Sequence, residues 1–380
     1  MTSEIRPFRL EIDQARLDDV KERLVRTRFP DQPDGAGWDY GVPAGYLRER
    51  VDYWRDQYDW RAQEALLNGL PQFVTAIDGQ HVHFAHVRSP EPDAVPLLMT
   101  HGWPSSPAEF LEVAAPLTNP RAHGGDPADA FHLVLPSLPG TGLSGPARDT
   151  GWNIRRIASV LAELMRRLDY ERYGAQGGDW GAKISRELGL ICPDKVIGVH
   201  ANGTLGTPVG EIDPRNLTEA ERERLAAADL FRRERLGYAM IQRTRPQTVA
   251  AALLDSPAGL LAWHADLFEW FDPEQELGPD RLPADYILTS VMLYWLTATA
   301  ASAARLYHDA EDNAWAAARQ RSSVPTGVAI FPTDTGIRAF AEQENNIVRW
   351  SEYSRGGHFA ARQAPDLLVG DVREFFRPLR

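Results

Sequence analysis

Asp179 stands in Gly177-Gly178-Asp179-Trp180-Gly181, between a β-like run and a helix-like run, with a small residue two positions to either side. That spacing suits a sharp strand-to-helix turn which lifts a nucleophile off a sheet edge and points the next helix N-terminus at it. A plain turn with a capping aspartate would use the same residues. If Asp179 is a nucleophile, its type sets the reaction class. A carboxylate attacks an electrophilic sp³ carbon and leaves an alkyl ester, whereas serine attacks acyl carbon. Activated water must then attack the ester carbonyl, so the oxyanion forms on the enzyme's own side chain and its donors must face Asp179. The expected base is His358, in Gly356-Gly357-His358-Phe359. The expected orienting acid is Asp334, ending Phe331-Pro332-Thr333-Asp334, with Glu342 and Glu344 as fallbacks. Asp334 is equally placed to N-cap a helix beginning near Thr335. The backbone N–H groups of Trp103 and Trp180 are the expected oxyanion donors, and Trp103-Pro104 is expected to be cis.

The elements that would hold these residues follow from hydrophobic period and turn chemistry. Asp13 is placed to N-cap a helix from Gln14 to about Arg26, striped by Leu17, Val20, Leu24 and Val25. A second helix is expected from about Ala44 to Tyr58. Runs Phe73–Ile77 and His81–Val87 read as strands joined by an Asp78-Gly79 turn. From Pro96 strands alternate with helices: Leu97–Thr100, Phe131–Leu135, a helix from about Asn153 to Leu168, Tyr173–Gln176, and Val196–His200. That alternation predicts a parallel sheet covered on both faces. Helices dominate from about 205 to 320, and strands return at Gly327–Phe331 and near Ile347 to Tyr353, before a last helix from Pro365 to about Phe376. A helical insertion late in a doubly wound sheet covers the crevice at the strand carboxyl ends. The expected division is an arm with the first hairpin (1–95), core (96–204), helical cap (205–320) and core again (321–380). Trp38, Trp54 and Trp60 suit a docked arm better than an exposed one.

At this level the chain resembles the microsomal-type epoxide hydrolase family, with its N-terminal arm, over nearly its whole length. The matching segments are Arg6-Pro-Phe-Arg9, His101-Gly-Trp-Pro104, Gly177-Gly-Asp-Trp-Gly181, Gly237-Tyr-Ala-Met-Ile-Gln242, Thr244-Arg-Pro-Gln-Thr248, Asp255-Ser-Pro-Ala-Gly259, Val291-Met-Leu-Tyr-Trp295 and Arg355-Gly-Gly-His-Phe-Ala360. The resemblance implies an α/β-hydrolase fold, a mostly parallel doubly wound sheet with a helical cap and an N-terminal helical arm. It implies conversion of an epoxide to a vicinal diol, with water as co-substrate and no cofactor or metal. It also implies two cap tyrosines that hydrogen-bond the epoxide oxygen, here Tyr238 and Tyr307. Many members place Glu where this chain has Asp334, and mammalian members carry a membrane anchor that is not expected here.

Bulk properties narrow the alternatives. A formal net charge of -12 argues against nucleic-acid or anionic-membrane partners. Only Lys21, Lys183 and Lys195 among the 41 basic residues are lysine, and the arginines are scattered. The single cysteine, Cys192, allows no internal disulfide and closes an apolar helix, which suits an inert thiol in a cytoplasmic enzyme. His81, His83 and His86 read as an ordinary strand face rather than a metal site. The uncharged stretch 287–304 is long enough to approach a membrane span, but its hydroxyl residues favour a buried helix. A haloalkane dehalogenase and a non-catalytic binding protein of the same fold are the rival readings. Homodimerisation is left open.

Overall fold

The computed structural model describes residues 4–203, 205–206, 215, 217–270, 280–310 and 320–380. Parts of the expected cap, at 207–214, 271–279 and 311–319, lie outside the described residues. The strands are β1 (Arg6–Phe8), β2 (Gln72–Ile77), β3 (Gln80–Val87), β4 (Val95–Thr100), β5 (Phe131–Pro136), β6 (Tyr173–Gly178), β7 (Val196–Asn202), β8 (Pro325–Ile330) and β9 (Asn346–Glu352). They form one sheet in the order β1-β2-β3-β5-β4-β6-β7-β8-β9. The β1-β2, β2-β3 and β3-β5 pairs are antiparallel, and every pair from β5-β4 to β8-β9 is parallel. The fold is thus an α/β-hydrolase fold with a mostly parallel sheet. Leu97, Leu98, Met99, Leu133, Val134 and Leu135 are fully buried, because helices cover both faces of the middle strands. Each such side chain contributes about 1.5–3 kcal/mol relative to exposure.

Asp78 and Gly79 both take positive φ, the twist a two-residue turn needs to join β2 to β3. The arm helices are α1 (Gln14–Val25), α2 (Ala44–Asp56) and α3 (Trp60–Leu67); α2 ends close to where it was expected to, and α3 was not expected from the sequence. Asp13 precedes α1, but its side chain makes no capping bond. In α3 the cap is real, with Asp59 accepting from the Arg61 and Ala62 amides. The core helices before the cap are α4 (Leu111–Thr118), α5 (Ile154–Arg167) and α6 (Trp180–Ile191). The described cap helices are α7 (Glu219–Glu234), α8 (Gly237–Thr244), α9 (Pro246–Asp255), α10 (Pro257–Trp270), α11 (Ala284–Leu296) and α12 (Ala300–Asp309). After β8 come α13 (Arg338–Glu344), α14 (Ala360–Gln363) and α15 (Pro365–Phe376).

The stretch expected as one buried helix over 287–304 is two helices, α11 and α12, bent by 91° at Thr297–Thr299. Ala298 takes a φ of 53° there, which a continuous helix cannot accommodate. Among the described residues no single helix is long and apolar enough to cross a membrane. The arm is tied to the cap by three tyrosines. Tyr46 donates to Glu269 at 2.6 Å, Tyr53 donates to Asp285 at 2.8 Å, and Tyr58 is 2.9 Å from the Thr289 hydroxyl. Trp54 and Trp60 are buried as expected of a docked arm, whereas Trp38, expected there too, is exposed, with its ring edge-on to Tyr46.

Candidate active site

The parallel strands deliver their loops to one edge of the sheet. β4 lies between β5 and β6, so the chain winds in opposite directions from it and leaves a crevice at the carboxyl ends. The loop after β4 carries His101–Pro104, the turn after β6 carries Asp179, β7 ends at Asn202, and Asp334 and His358 follow β8 and β9. Asp179 has φ 52° and ψ -123°. A non-glycine residue held there costs about 1–3 kcal/mol, and such strain is sustained where packing over-determines the turn. Packing does so here, because a Cβ at Gly181 would run into the Thr100 carbonyl.

The carboxylate of Asp179 is addressed from two directions. The Trp103 amide donates to Oδ1 at 3.0 Å. His358 Nε2 lies 3.7 Å from Oδ2. The Trp103-Pro104 bond is cis, as the motif suggested. His101 holds this loop: its Nε2 accepts from the Leu138 amide at 3.2 Å and its Nδ1 lies 2.7 Å from the Gly102 carbonyl. That pairing requires a neutral ring, and burial pushes the imidazole down to about 4. Trp180 supplies the first residue of α6, with its ring 4.9 Å from that of Tyr307.

Asp334 follows β8, but it does not cap a helix at 335; α13 begins at Arg338 and is preceded by Ile337. Instead Asp334 Oδ2 accepts from the Phe331 amide at 2.9 Å, which locks the turn at the strand end. A Cβ at Gly203 would come within 2.6 Å of Asp334 Oδ1, so the acid is packed against the end of β7. The fallback acids face elsewhere: Glu342 pairs with Arg338 at 2.7 Å, and Glu344 is 3.9 Å from Arg186.

Tyr238 from α8 and Tyr307 from α12 come together over the carboxylate. Their rings are 5.8 Å apart at 79°. Trp103 stacks on Tyr238 at 5.6 Å and meets Tyr307 edge-on at 5.5 Å. Both phenols are pushed well above the ordinary tyrosine range, first by burial; the Asp179 charge comes next for Tyr238, and for Tyr307 the neighbouring Tyr238 comes before Asp179. A raised phenol keeps its proton at neutral pH and can donate a hydrogen bond. The five side chains singled out from sequence thus lie at one edge, with Asp179, His358, Tyr238 and Tyr307 around a single crevice.

Sequence reasoning missed the braces. Gln176 Nε2 donates to Asn202 Oδ1 at 2.9 Å, and Asn202 Nδ2 donates to the His358 carbonyl at 3.4 Å, so two polar side chains at the ends of β6 and β7 fix the histidine loop. It also missed Glu109, a carboxyl buried beside the Trp103 loop. Ser105 Oγ is 2.6 Å from Glu109 and 2.7 Å from the Tyr286 hydroxyl. The signal was a lone acid in an otherwise apolar turn. The His81–His83–His86 strand holds no metal cluster, and the three rings occupy different surroundings. His81 is exposed, His83 is buried between Ser137 and Gln72, and His86 meets Tyr170. Among the described residues no group of His, Cys, Asp and Glu could hold a metal ion.

Comparison with known proteins agrees with this geometry. Residues 5–110 match the family described as epoxide hydrolase N terminus, and residues 95–253 match the alpha/beta hydrolase fold. A protein of Stigmatella aurantiaca that carries an epoxide hydrolase name is 43% identical, over 99% of this chain and 86% of its own length. The chain belongs to the epoxide hydrolase family. Epoxide hydrolase 1 of Sus scrofa is 34% identical over 98% of this chain and 88% of its own. The structure of the Aspergillus niger epoxide hydrolase superposes with a TM-score of 0.88 at 32% identity, covering 100% of this chain and 98% of that one.

Proposed function

We propose that this epoxide hydrolase works through a covalent ester on Asp179. The observation that carries the reading is the convergence near one carboxylate of an amide donor, an imidazole and two adjoining phenols. In the first step an Asp179 oxygen bonds to a ring carbon as that carbon's C–O bond breaks. The electron pair leaves on the epoxide oxygen, which takes a proton from Tyr238 or Tyr307. In the second step His358 accepts a proton from water as the water oxygen bonds to the carboxyl carbon of Asp179. The resulting oxyanion is held by the Trp103 amide, with the Trp180 amide at the helix start as the second donor. Collapse expels the diol oxygen, which takes the proton held by His358, and the second proton of the water returns to the phenol that was deprotonated, so that the carboxylate, the imidazole and both phenols are restored. Asp334 holds the His358 ring and stabilises it while charged. A haloalkane dehalogenase would need donors for a halide leaving group, and paired phenols suit an alkoxide that is still tethered to the attacked carbon.

Intact-protein mass spectrometry tests the reading. Asp179→Asn is expected to show neither turnover nor added mass, because a neutral amide does not attack the ring. His358→Gln is expected to gain the mass of the epoxide and retain it. An unmodified His358→Gln protein that still binds substrate would remove His358 from the hydrolytic step.

A further inference from the structure

Two buried polar atoms border the crevice without taking part in the steps above. His264, on α10, is 1% exposed, and its Nδ1 has no hydrogen-bond partner among the described residues. Its ring meets Trp103 edge-on at 5.5 Å and Tyr294 at 5.0 Å. Gln242, on α8, is fully buried; its Oε1 accepts from the Trp263 indole at 3.1 Å, while its Nε2 has no partner among the described residues. Four residues separate Gln242 from Tyr238, so the two share a helix face. Trp263 and His264 are neighbours in α10, and the Trp263–Gln242 bond ties α10 to α8. Each orphan atom therefore lies one helical turn or one ring from a group that touches the reacting atoms.

Leaving a buried polar atom unpaired costs about 1–3 kcal/mol, and folded proteins carry few of them. Two of them, one against the Trp103 ring and one on the helix face of Tyr238, are better explained by a partner that arrives with the ligand. Gln242 Nε2 can only donate. The His264 ring is neutral, with burial pushing it down to about 3, so its Nδ1 can donate or accept. A hydrogen-bond acceptor is the one group that suits both. The inference rests on the ring-opening reading of the same crevice.

We propose that His264 and Gln242 form a polar subsite in the cap for a carbonyl or ether oxygen remote from the oxirane, making this an enzyme for epoxides that carry a second, hydrogen-bond-accepting group. The test compares kcat/KM for a straight-chain alkyl epoxide and a same-length epoxide carrying an ester carbonyl, in wild type, His264→Leu, Gln242→Leu and His264→Asn. The expected wild-type preference for the ester is about tenfold, the value of one to two neutral hydrogen bonds. Either leucine substitution is expected to remove most of it through KM, and His264→Asn, which keeps a polar atom near Nδ1, to restore part of it. A preference unchanged in the leucine variants, or an equal loss for both epoxides in all three variants, would overturn the subsite. Calorimetric binding of an unreactive same-length amide separates the two ideas. If wild type opens neither epoxide but binds the amide about tenfold more tightly than His264→Leu, ring opening falls and the subsite stands. Equal amide binding by both proteins sinks the subsite.

Discussion

Tyr238 and Tyr307 differ in what surrounds them, yet losing either hydroxyl leaves the other phenol in place. Tyr307 touches both site tryptophans, with rings 5.5 Å from Trp103 and 4.9 Å from Trp180, whereas Tyr238 stacks on Trp103. Removing one oxyanion donor commonly lowers a rate by about 10²–10³-fold. With a second phenol still present, Tyr238→Phe or Tyr307→Phe alone is expected to slow alkylation by less than that. The double substitution should nearly abolish it. Both rings stay in place, so the melting temperature should hardly move. Stopped-flow measurement of alkylation reads the outcome, and a double variant no slower than either single one would show that the phenols do not share the charge.

At the scale of elements, the decisive joint is between α11 of the cap and the loop after β4. Tyr294 donates to the Ser105 carbonyl at 2.9 Å, Tyr286 meets the Ser105 hydroxyl, and Ser105 in turn meets Glu109. Trp103, whose amide reaches Asp179, is two residues from Ser105. Burial pushes Glu109 from 4.5 up to about 7, partly offset by the Ser105 bond, with the Asp179 charge adding to the rise and Arg362 opposing it. A raised acid keeps its proton in the folded state while the unfolded chain ionises. Its stabilising contribution is therefore complete below about pH 4.5 and is lost as pH rises to about 7, by about 3 kcal/mol at most. Glu109→Gln has no such loss. Its melting temperature relative to wild type should rise between pH 5 and pH 8, and a difference that is flat with pH would mean that Glu109 is already ionised in the folded protein.

For the whole molecule the opposite sign dominates on the acid side. His83, His101 and His264 are buried and neutral, with burial pushing them down to about 3, 4 and 3. Each contributes stability that is present above the unfolded value of about 6.5 and is lost as pH falls toward 4. The unfolded chain then binds up to three more protons than the native one at these positions. Glu109 works the other way over part of that window, which leaves a net slope of roughly 2–3 kcal/mol per pH unit near pH 5. Circular dichroism should show cooperative acid unfolding that begins above pH 4. Unchanged stability from pH 6 to pH 4 would contradict the neutral assignment of these three rings. His83 on β3 is held by Ser137 beyond β5 and by Gln72 on β2, so protonating it loosens arm and core together.

Local signals carry most of what the sequence says about the sheet edge that holds Asp179. The Asp179 turn, the Asp78-Gly79 hairpin and the alternation of strand and helix depend on φ, on side-chain size and on period, which neighbours in the chain set. The resemblance in Gly237–Gln242 and Arg305–His308 supplied the phenols, and the tertiary structure brought them over the carboxylate from two different cap helices. What depends on distant residues was not legible. The 287–304 stretch has uniform composition, and its break into two helices at 91° follows from packing. Asp334 reads as a cap in sequence, yet its carboxylate closes back on the Phe331 amide. The three strand histidines look alike in the chain and differ only through Ser137, Gln72 and Tyr170, which lie between 11 and 84 residues away. Glu109, Asn202, Gln242 and His264 are ordinary polar residues until folding removes them from water. Burial is the physical reason that they matter, because a polar atom must then find its partner in another element or in the substrate.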